Sequence, residues 1–155
     1  MHWSDIPDLV ALEQVLHPHD PWSEATWWSE LAGRPRRDYQ VLAGPDARIL
    51  GYAGLDLAGD VADIMTISID PAQQGKGLGS RLLERLHTQA SLRGAETMLL
   101  EVRADNSAAI RLYGNYGYRR IHIRRGYYQA GQVDAWVMQA VLASPEASTN
   151  QEKDT

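Results

Sequence analysis

Residues 73–86 read QQGKGLGSRLLERL, and in this stretch three glycines, Gly75, Gly77 and Gly79, alternate immediately before a leucine-rich run. Glycine loses more conformational freedom on folding than any other residue, so three together beside a helix indicate that another group approaches the main chain closely. The leucines that follow recur at helical spacing, which predicts an amphipathic helix that ends near Gly94. The stretch therefore predicts a helix whose glycine-rich N-terminus binds a ligand.

The segments on either side predict the rest of the fold. Two short helices lead the chain, from Asp5 to Leu16 with Ser4 or Asp5 as N-cap, and from Ser23 to about Leu31 with Ser23 as N-cap. Three β-rich runs then form a meander that ends at Pro71. After the glycine-rich helix come a strand, a short helix capped by Asp105 or Asn106, and two strands. The predicted order is α-α-β-β-β-α-β-α-β-β, an α/β domain.

Composition limits the class of protein. A chain of 155 residues with 44% hydrophobic and 23% charged residues has the size and balance of one globular domain, which we assign to residues 1–143. Residues 144–155 lack apolar periodicity and are predicted to be a disordered tail. The chain has no cysteine and no apolar run long enough to cross a bilayer, so we expect a cytoplasmic protein without a membrane partner. The net charge of -5 argues against nucleic acid as the main partner and is compatible with a cationic substrate.

A strand, a glycine-rich turn and a helix form an anion site, because the first N–H groups of the helix have no intrahelical partner. The dinucleotide fingerprint is excluded because it requires glycine or alanine at Ser80, and the Walker A motif fails because Gly77 follows Lys76. The pattern that remains is Q-x-x-G-x-G, from Gln74 to Gly79. The glycines alone also allow a flexible turn that binds nothing.

With this motif the sequence resembles the GNAT acetyltransferases, which hold the pyrophosphate of acetyl-coenzyme A on main-chain N–H groups. The stretches HPHDPWSEATW, ISIDPAQQGKGLGSRLL, LEVRADNSAAIRLYGNYGYRRI and RRGYY resemble the bacterial RimI-type branch in particular. The resemblance implies a GNAT fold, with a mixed central sheet flanked by helices and a β-splay that holds acetyl-coenzyme A. It further implies acetylation of a protein N-terminus, that of a ribosomal protein with N-terminal alanine. The residues that it implies for cofactor binding are Ile67, Ser68, Ile69, Gln74, Gly75, Lys76, Gly77, Leu78, Gly79, Ser80 and Asn106.

Three features depart from this family pattern. Gln73 stands where an aromatic residue is usual, and Ser80 stands where arginine is common. Before the first helix only Met1 to Trp3 remain for the family's opening strand. The first two departures imply a weaker hold on the phosphates.

Glu101 is a charged residue within the otherwise apolar strand LLEVR, a position typical of either a sheet rim or a functional cleft. In a parallel sheet both faces tend to be covered, which favours the cleft. Tyr113 lies seven residues after Asn106, two helical turns along the same face, which is also typical of a core tyrosine. The resemblance assigns Glu101 as the general base and Tyr113 as the acid that protonates the departing thiolate.

The acceptor side is less specific. Of Trp22, Trp27 and Trp28, at least two are expected to be ordinary core residues, and the resemblance places Trp22 in the wall of the acceptor site. Tyr127 and Tyr128 either pack at a strand end or line the peptide channel. His17, His19 and Asp20 lack further nitrogen or thiolate ligands, so no metal is expected.

The chemistry follows from what the chain lacks. With no cysteine and no G-x-S-x-G elbow, a covalent acyl-enzyme is not expected, and the acceptor amine attacks acetyl-coenzyme A directly. An α-amino group, with a pKa of about 7.7–8.0, is far more often neutral at pH 7 than a lysine, with a pKa of about 10.4. N-termini are therefore the easier substrate. A small-molecule or lysine acetyltransferase, or a coenzyme A-binding module without catalysis, remain the alternatives.

Overall fold

The computed structural model describes residues 1–128 and 131–142, so the tail predicted for residues 144–155 lies outside the described part of the chain. The helices are α1 (Ile6–Leu16), α2 (Glu24–Ala32), α3 (Leu78–Leu92) and α4 (Ser107–Asn115), with short 3-10 turns at Trp3–Asp5 and Pro71–Gln73. The strands are β1 (Arg37–Ala43), β2 (Ile49–Ala58), β3 (Val61–Ile69), β4 (Thr97–Arg103), β5 (Arg119–Tyr128) and β6 (Val133–Val141). The predicted order of helices and strands is confirmed.

The six strands form one sheet in the order β1-β2-β3-β4-β6-β5. The pairs β1–β2, β4–β6 and β5–β6 are antiparallel. The chain divides into two compact units. The first comprises Met1–Leu57 and Ile64–Leu86, and the second comprises Ala58–Asp63 and the described part of His87–Thr155. Across the described residues, no helix is long and apolar enough to cross a membrane.

An aromatic core holds the first unit together. The Trp27 ring is fully buried and meets Tyr52 edge to face, with ring centroids 5.1 Å apart, and Tyr39 at 5.6 Å. Edge-to-face pairs of this kind add about 0.5–1.5 kcal/mol beyond area burial. The α1 side chains Ile6 and Leu9 complete this core because their spacing places them on one helix face.

The predicted N-cap of α2 is confirmed, whereas the side chain at the N-cap position of α1 does not cap that helix. The Ser23 hydroxyl accepts a hydrogen bond from the Thr26 N–H at 3.1 Å, so it caps α2 as predicted. Asp5 occupies the N-cap position of α1, but its side chain does not cap that helix. Its carboxylate accepts from the His2 N–H at 2.6 Å, because a 3-10 turn precedes α1 and uses the same side chain.

The second unit is an antiparallel sheet with one buried face. Met98, Leu100 and Val102 alternate along β4 and are buried, and the hydroxyl of the buried Tyr118 lies 3.7 Å from the Met98 sulfur. The intervening residues of β4 lie on the opposite face. Strand β5 lies at one edge of the six-stranded sheet, and most of its residues are exposed. Glu101 therefore lies on the less covered face of this unit.

Candidate active site

The glycine loop of the first unit connects the 3-10 turn after β3 to α3. Gly75 and Gly77 have φ angles of +75° and +76°, in the left-handed region that L side chains adopt only with strain. A Cβ atom added at either position would contact nothing within 4 Å. The backbone conformation therefore favours glycine at both positions, and within the described part of the chain no atom lies in the space that a side chain would begin to fill.

The N-terminus of α3 has the features expected of an anion site. The Gly77 carbonyl accepts from the Arg81 N–H at 3.2 Å, so Gly77 is the residue at which the helical hydrogen bonding begins. Because glycine has no side chain to cap the helix, the N–H groups of Leu78, Gly79 and Ser80 have no capping partner from Gly77. The helix dipole adds a partial positive charge at this end. The arrangement fits a pyrophosphate bound through main-chain N–H groups.

Side chains beside the loop brace it from within the first unit. The buried carboxylate of Asp70 accepts from the Ala72 N–H at 2.9 Å and pairs with Arg48 at 2.6 Å. The Gln74 side chain donates to the Ile69 carbonyl at 3.2 Å, and the Lys76 ammonium contacts the Gln73 side chain. Gln74, which the resemblance implies for cofactor binding, thus has a contact within the protein that stabilises the loop.

The remaining residues of the first unit that were predicted to be functional lie close to its core or at the end of β3. Ile67 and Ser68 are half-buried, and Ile69 is buried where β3 ends. Trp22 is half-buried, with its ring 5.1 Å from that of Trp27. The main-chain N–H of Trp22 donates a hydrogen bond to the buried carboxylate of Glu13 at 2.9 Å. These contacts are those of a residue at the margin of the core, and the acceptor role of Trp22 stays a prediction.

Glu101 lies in the second unit beside an arginine. Its side chain is 32% exposed, and its Oε1 lies 3.0 Å from Nη1 of Arg124. Strand β4 pairs antiparallel with β6, and the face that carries Glu101 stays partly open. The functional cleft at Glu101 stays a prediction.

Aromatic rings and two further charged groups surround this ion pair. The Arg124 guanidinium lies over the Tyr127 ring at 5.3 Å, and the Arg103 guanidinium lies over the Tyr128 ring at 5.0 Å. Arg103 also binds both oxygens of Asp105, at 3.0 and 2.8 Å. We call this group the Glu101 cluster: Glu101, Arg103, Asp105, Arg124, Tyr127 and Tyr128.

The cluster perturbs its own ionisable groups. The hydrogen bond from Arg103 lowers the pKa of the Asp105 carboxyl. Burial raises the pKa of Tyr128, and the charge of Glu101 adds to this effect. The sequence analysis identified neither Arg103 nor Arg124 as a candidate functional residue. Arg103 could have been found, because it lies two residues after Glu101 on the same strand face, but Arg124 depends on the strand register.

Tyr113 and Asn106 lie in the α4 segment of the same unit. Asn106 caps the helix, since its side-chain oxygen accepts from the Ala109 N–H at 3.1 Å. Tyr113 is buried, with its ring 5.7 Å from that of Tyr118. Burial raises the pKa of Tyr113 to about 12. The phenol therefore keeps its proton throughout the neutral range, and the acid role of Tyr113 stays a prediction.

Metal ligation has no support among the described residues. No group of three or more histidine, cysteine, aspartate or glutamate side chains in that part of the chain could hold an ion. In the ion pairs of the described residues, His17 is paired with Glu13, with 3.9 Å between His17 Nε2 and Glu13 Oε1.

Known proteins resemble this chain over most of its length. The sequence profile of the acetyltransferase (GNAT) family matches residues 3–118. The N-alpha-acetyltransferase RimI of Mycobacterium tuberculosis is 40% identical over 136 residues, which cover 85% of this chain and 83% of that protein. The [ribosomal protein bS18]-alanine N-acetyltransferase of Salmonella typhimurium is 37% identical over 137 residues, covering 87% of this chain and 90% of the relative.

Solved structures agree with the sequence relatives. The crystal structure of the ribosomal-protein-S18-alanine N-acetyltransferase from Escherichia coli superposes with a TM-score of 0.83 at 35% identity, and the match covers 92% of this chain and 91% of that one. Ard1 from Thermoplasma volcanium has a TM-score of 0.82 at 21% identity, covering 93% and 95% of the two chains, which shows the shared fold.

Proposed function

Because this chain belongs to the GNAT acetyltransferase family, we propose that it transfers the acetyl group of acetyl-coenzyme A to the N-terminal amino group of a protein. The preferred acceptor is the N-terminal alanine of a ribosomal protein, by analogy with the bS18-alanine acetyltransferases described above. Such an acceptor is made in the cytoplasm, where we expect the protein to act. The observation that carries the donor half of the proposal is the left-handed glycine loop at the start of α3.

The donor binds through the first unit. The N–H groups at the start of α3 hold the pyrophosphate, since Gly77 leaves them without a side-chain cap and the helix dipole favours a negative charge there. A main-chain N–H within Ile67 to Ile69 stabilises the negative charge that develops on the thioester oxygen. This strand continues into the glycine loop, so one stretch of main chain serves both ends of the donor.

The proton transfers belong to the second unit. Glu101 accepts a proton from the acceptor ammonium, directly or through a water, and the neutral amine forms a bond to the carbonyl carbon of the thioester. As the carbon–sulfur bond breaks, Tyr113 donates its phenolic proton to the departing sulfur. The attacking nitrogen releases its second proton to solvent as the amide forms, and Tyr113 and Glu101 regain their starting protonation states by exchange with solvent. A phenol carries its proton at neutral pH even at its ordinary pKa of about 10, and the raised pKa of Tyr113 extends this to higher pH. The products are an N-acetylated chain and free coenzyme A.

A peptide library tests this function. Short peptides that vary at their first residues are incubated with the protein and acetyl-coenzyme A, and mass spectrometry measures the gain of one acetyl group. We expect acetylation at the α-amino group, strongest for an N-terminal alanine, and much less with Glu101→Gln at pH 7. Peptides with a blocked N-terminus and an internal lysine are the matched controls. Acetylation of these controls at the same rate would contradict α-amino specificity, and binding of acetyl-coenzyme A without transfer to any peptide would indicate a non-catalytic module.

A further inference from the structure

The Glu101 carboxylate already contacts a cation in this structure. Arg124 Nη1 lies 3.0 Å from Glu101 Oε1, and the two side chains are 49% and 32% exposed. The strand register explains how they meet. Glu101 lies opposite Val137 and Arg124 lies opposite Ala135, so both are on one face of the sheet and Arg124 reaches across β6.

Neighbouring arginines in the second unit have carboxylates of their own. Arg103 binds Asp105 through two nitrogens, and Arg125 pairs with Asp134 at 2.9 Å. The guanidinium that faces Glu101 is therefore that of Arg124. Arg124 also has a second contact, the Tyr127 ring at 5.3 Å, which holds a guanidinium by cation–π attraction without involving the carboxylate.

We propose, building on the function proposed above, that Arg124 is a resident cation on Glu101 that the acceptor ammonium must displace. Both cations seek the oxygens of one carboxylate, so they compete while the acceptor is protonated. The Tyr127 ring retains the displaced guanidinium close by. Arg124 is thus a positioning residue that acts through Glu101 and raises the acceptor concentration needed for half-maximal rate.

The size of the effect follows from exposure. An ion pair between partly exposed side chains contributes little, and its loss changes an equilibrium by about two- to fivefold. Arg124→Gln is therefore expected to lower KM for a peptide acceptor about two- to fivefold at pH 7, with kcat nearly unchanged. At pH 9 most of an α-amine with a pKa of about 7.7–8.0 is neutral and no longer competes for the carboxylate, so the two KM values converge.

The experiment compares five proteins at saturating acetyl-coenzyme A: wild type, Arg124→Gln, Arg124→Ala, Arg124→Lys and Arg125→Gln. Arg124→Lys keeps a cation and is expected to stay near the wild-type KM. Arg125→Gln removes the same charge one residue away, where the partner is Asp134, and is expected to leave both constants unchanged. Arg124→Ala serves as a second charge-removing variant, and melting temperatures verify that each protein is folded.

Several results would overturn the inference. A rise in KM would mean that Arg124 binds the acceptor. A fall in kcat at unchanged KM would mean that it orients Glu101 for proton transfer. If Arg124→Gln and Arg125→Gln had the same kinetic constants, competition between Arg124 and the acceptor would be refuted. The same conclusion would follow if the ratio of the wild-type KM to the Arg124→Gln KM were equal at pH 7 and pH 9. A wild-type protein that acetylates no peptide would refute the proposed function and this inference together, whereas active wild type with an unresponsive Arg124 refutes the inference alone.

Discussion

The glycine loop and the Glu101 cluster are built from different parts of the chain. The loop is main chain from one contiguous segment, and its geometry depends on two left-handed glycines and a helix start. The Glu101 cluster consists of side chains from β4, from the residue before Asn106 and from β5, which the sheet register brings together. A site formed by the main chain of consecutive residues can be recognised from the local sequence. A cluster of side chains from different strands depends on how those strands pair.

The two regions should therefore respond to different substitutions. The loop should be sensitive to changes that alter its φ angles and tolerant of changes in its exposed side chains. The Glu101 cluster and Tyr113 should be sensitive to the loss of single ionisable groups, with effects that depend on pH.

The largest expected effect is that of Tyr113→Phe. Loss of the acid should lower kcat by about 10²–10⁴-fold with little change in the Kd of acetyl-coenzyme A, because the thiolate forms only as the reaction proceeds. Since the pKa of Tyr113 is raised to about 12, the wild-type phenol stays protonated below that pH and contributes no decline in rate at pH 8 to 10. Tyr116→Phe, at the C-cap of the same helix, is the control. Weakened cofactor binding with intact turnover would identify Tyr113 as a packing residue.

Glu101→Gln should have the next largest effect, and one that varies with pH. We expect kcat/KM to fall by about 10²-fold at pH 6 to 7, where the acceptor is mostly ammonium, and to recover partly toward pH 9. A pH profile of both proteins on one peptide measures this. A uniform loss over the whole range would instead mean that Glu101 orients the acceptor.

Gly77→Ala should weaken acetyl-coenzyme A binding about tenfold, comparable to the loss of one hydrogen bond to a charged group. A Cβ at φ +76° strains the loop by about 1–2 kcal/mol. Gly59→Ala is the matched control, because Gly59 has φ +68°, has open space beside it and lies outside the loop. Calorimetry gives both Kd values, and melting temperatures give the stabilities. Equal Kd values would show that the loop does not hold the donor.

Lys76→Ala should have the smallest effect. The Lys76 ammonium is exposed and contacts the Gln73 side chain at 2.9 Å, so its removal should change the Kd of acetyl-coenzyme A by less than about fivefold. A loss of affinity for acetyl-coenzyme A of more than tenfold, measured in the same titration, would mean that the loop binds the donor through a side chain. The contrast with the Glu101 cluster would then not hold.

Where the sequence reasoning failed, the missing information was non-local. Glu13 has an ordinary place on the polar side of α1 in the sequence, yet its carboxylate is buried and accepts from the Tyr52 hydroxyl and the Trp22 N–H. The partner Tyr52 is 39 residues away, beyond the reach of helical periodicity. The ion pair of Glu101 with Arg124 likewise depends on the pairing of β4 and β5 with β6, which the local sequence does not show.

The order of helices and strands, the cap at Ser23, the choice of Asp105 or Asn106 as cap of α4, the glycine-rich turn before α3 and the GNAT family could all be predicted from the sequence. Each of these depends on residues a few positions apart, whose hydrogen bonds and dihedral angles are local. Tertiary structure alone decided that Arg124 lies on Glu101 and that Tyr113 is buried deeply enough for its pKa to rise. Those facts depend on the pairing of β4 and β5 with β6 and on the packing around α4, because charge contacts and desolvation act between residues that only the folded chain brings together.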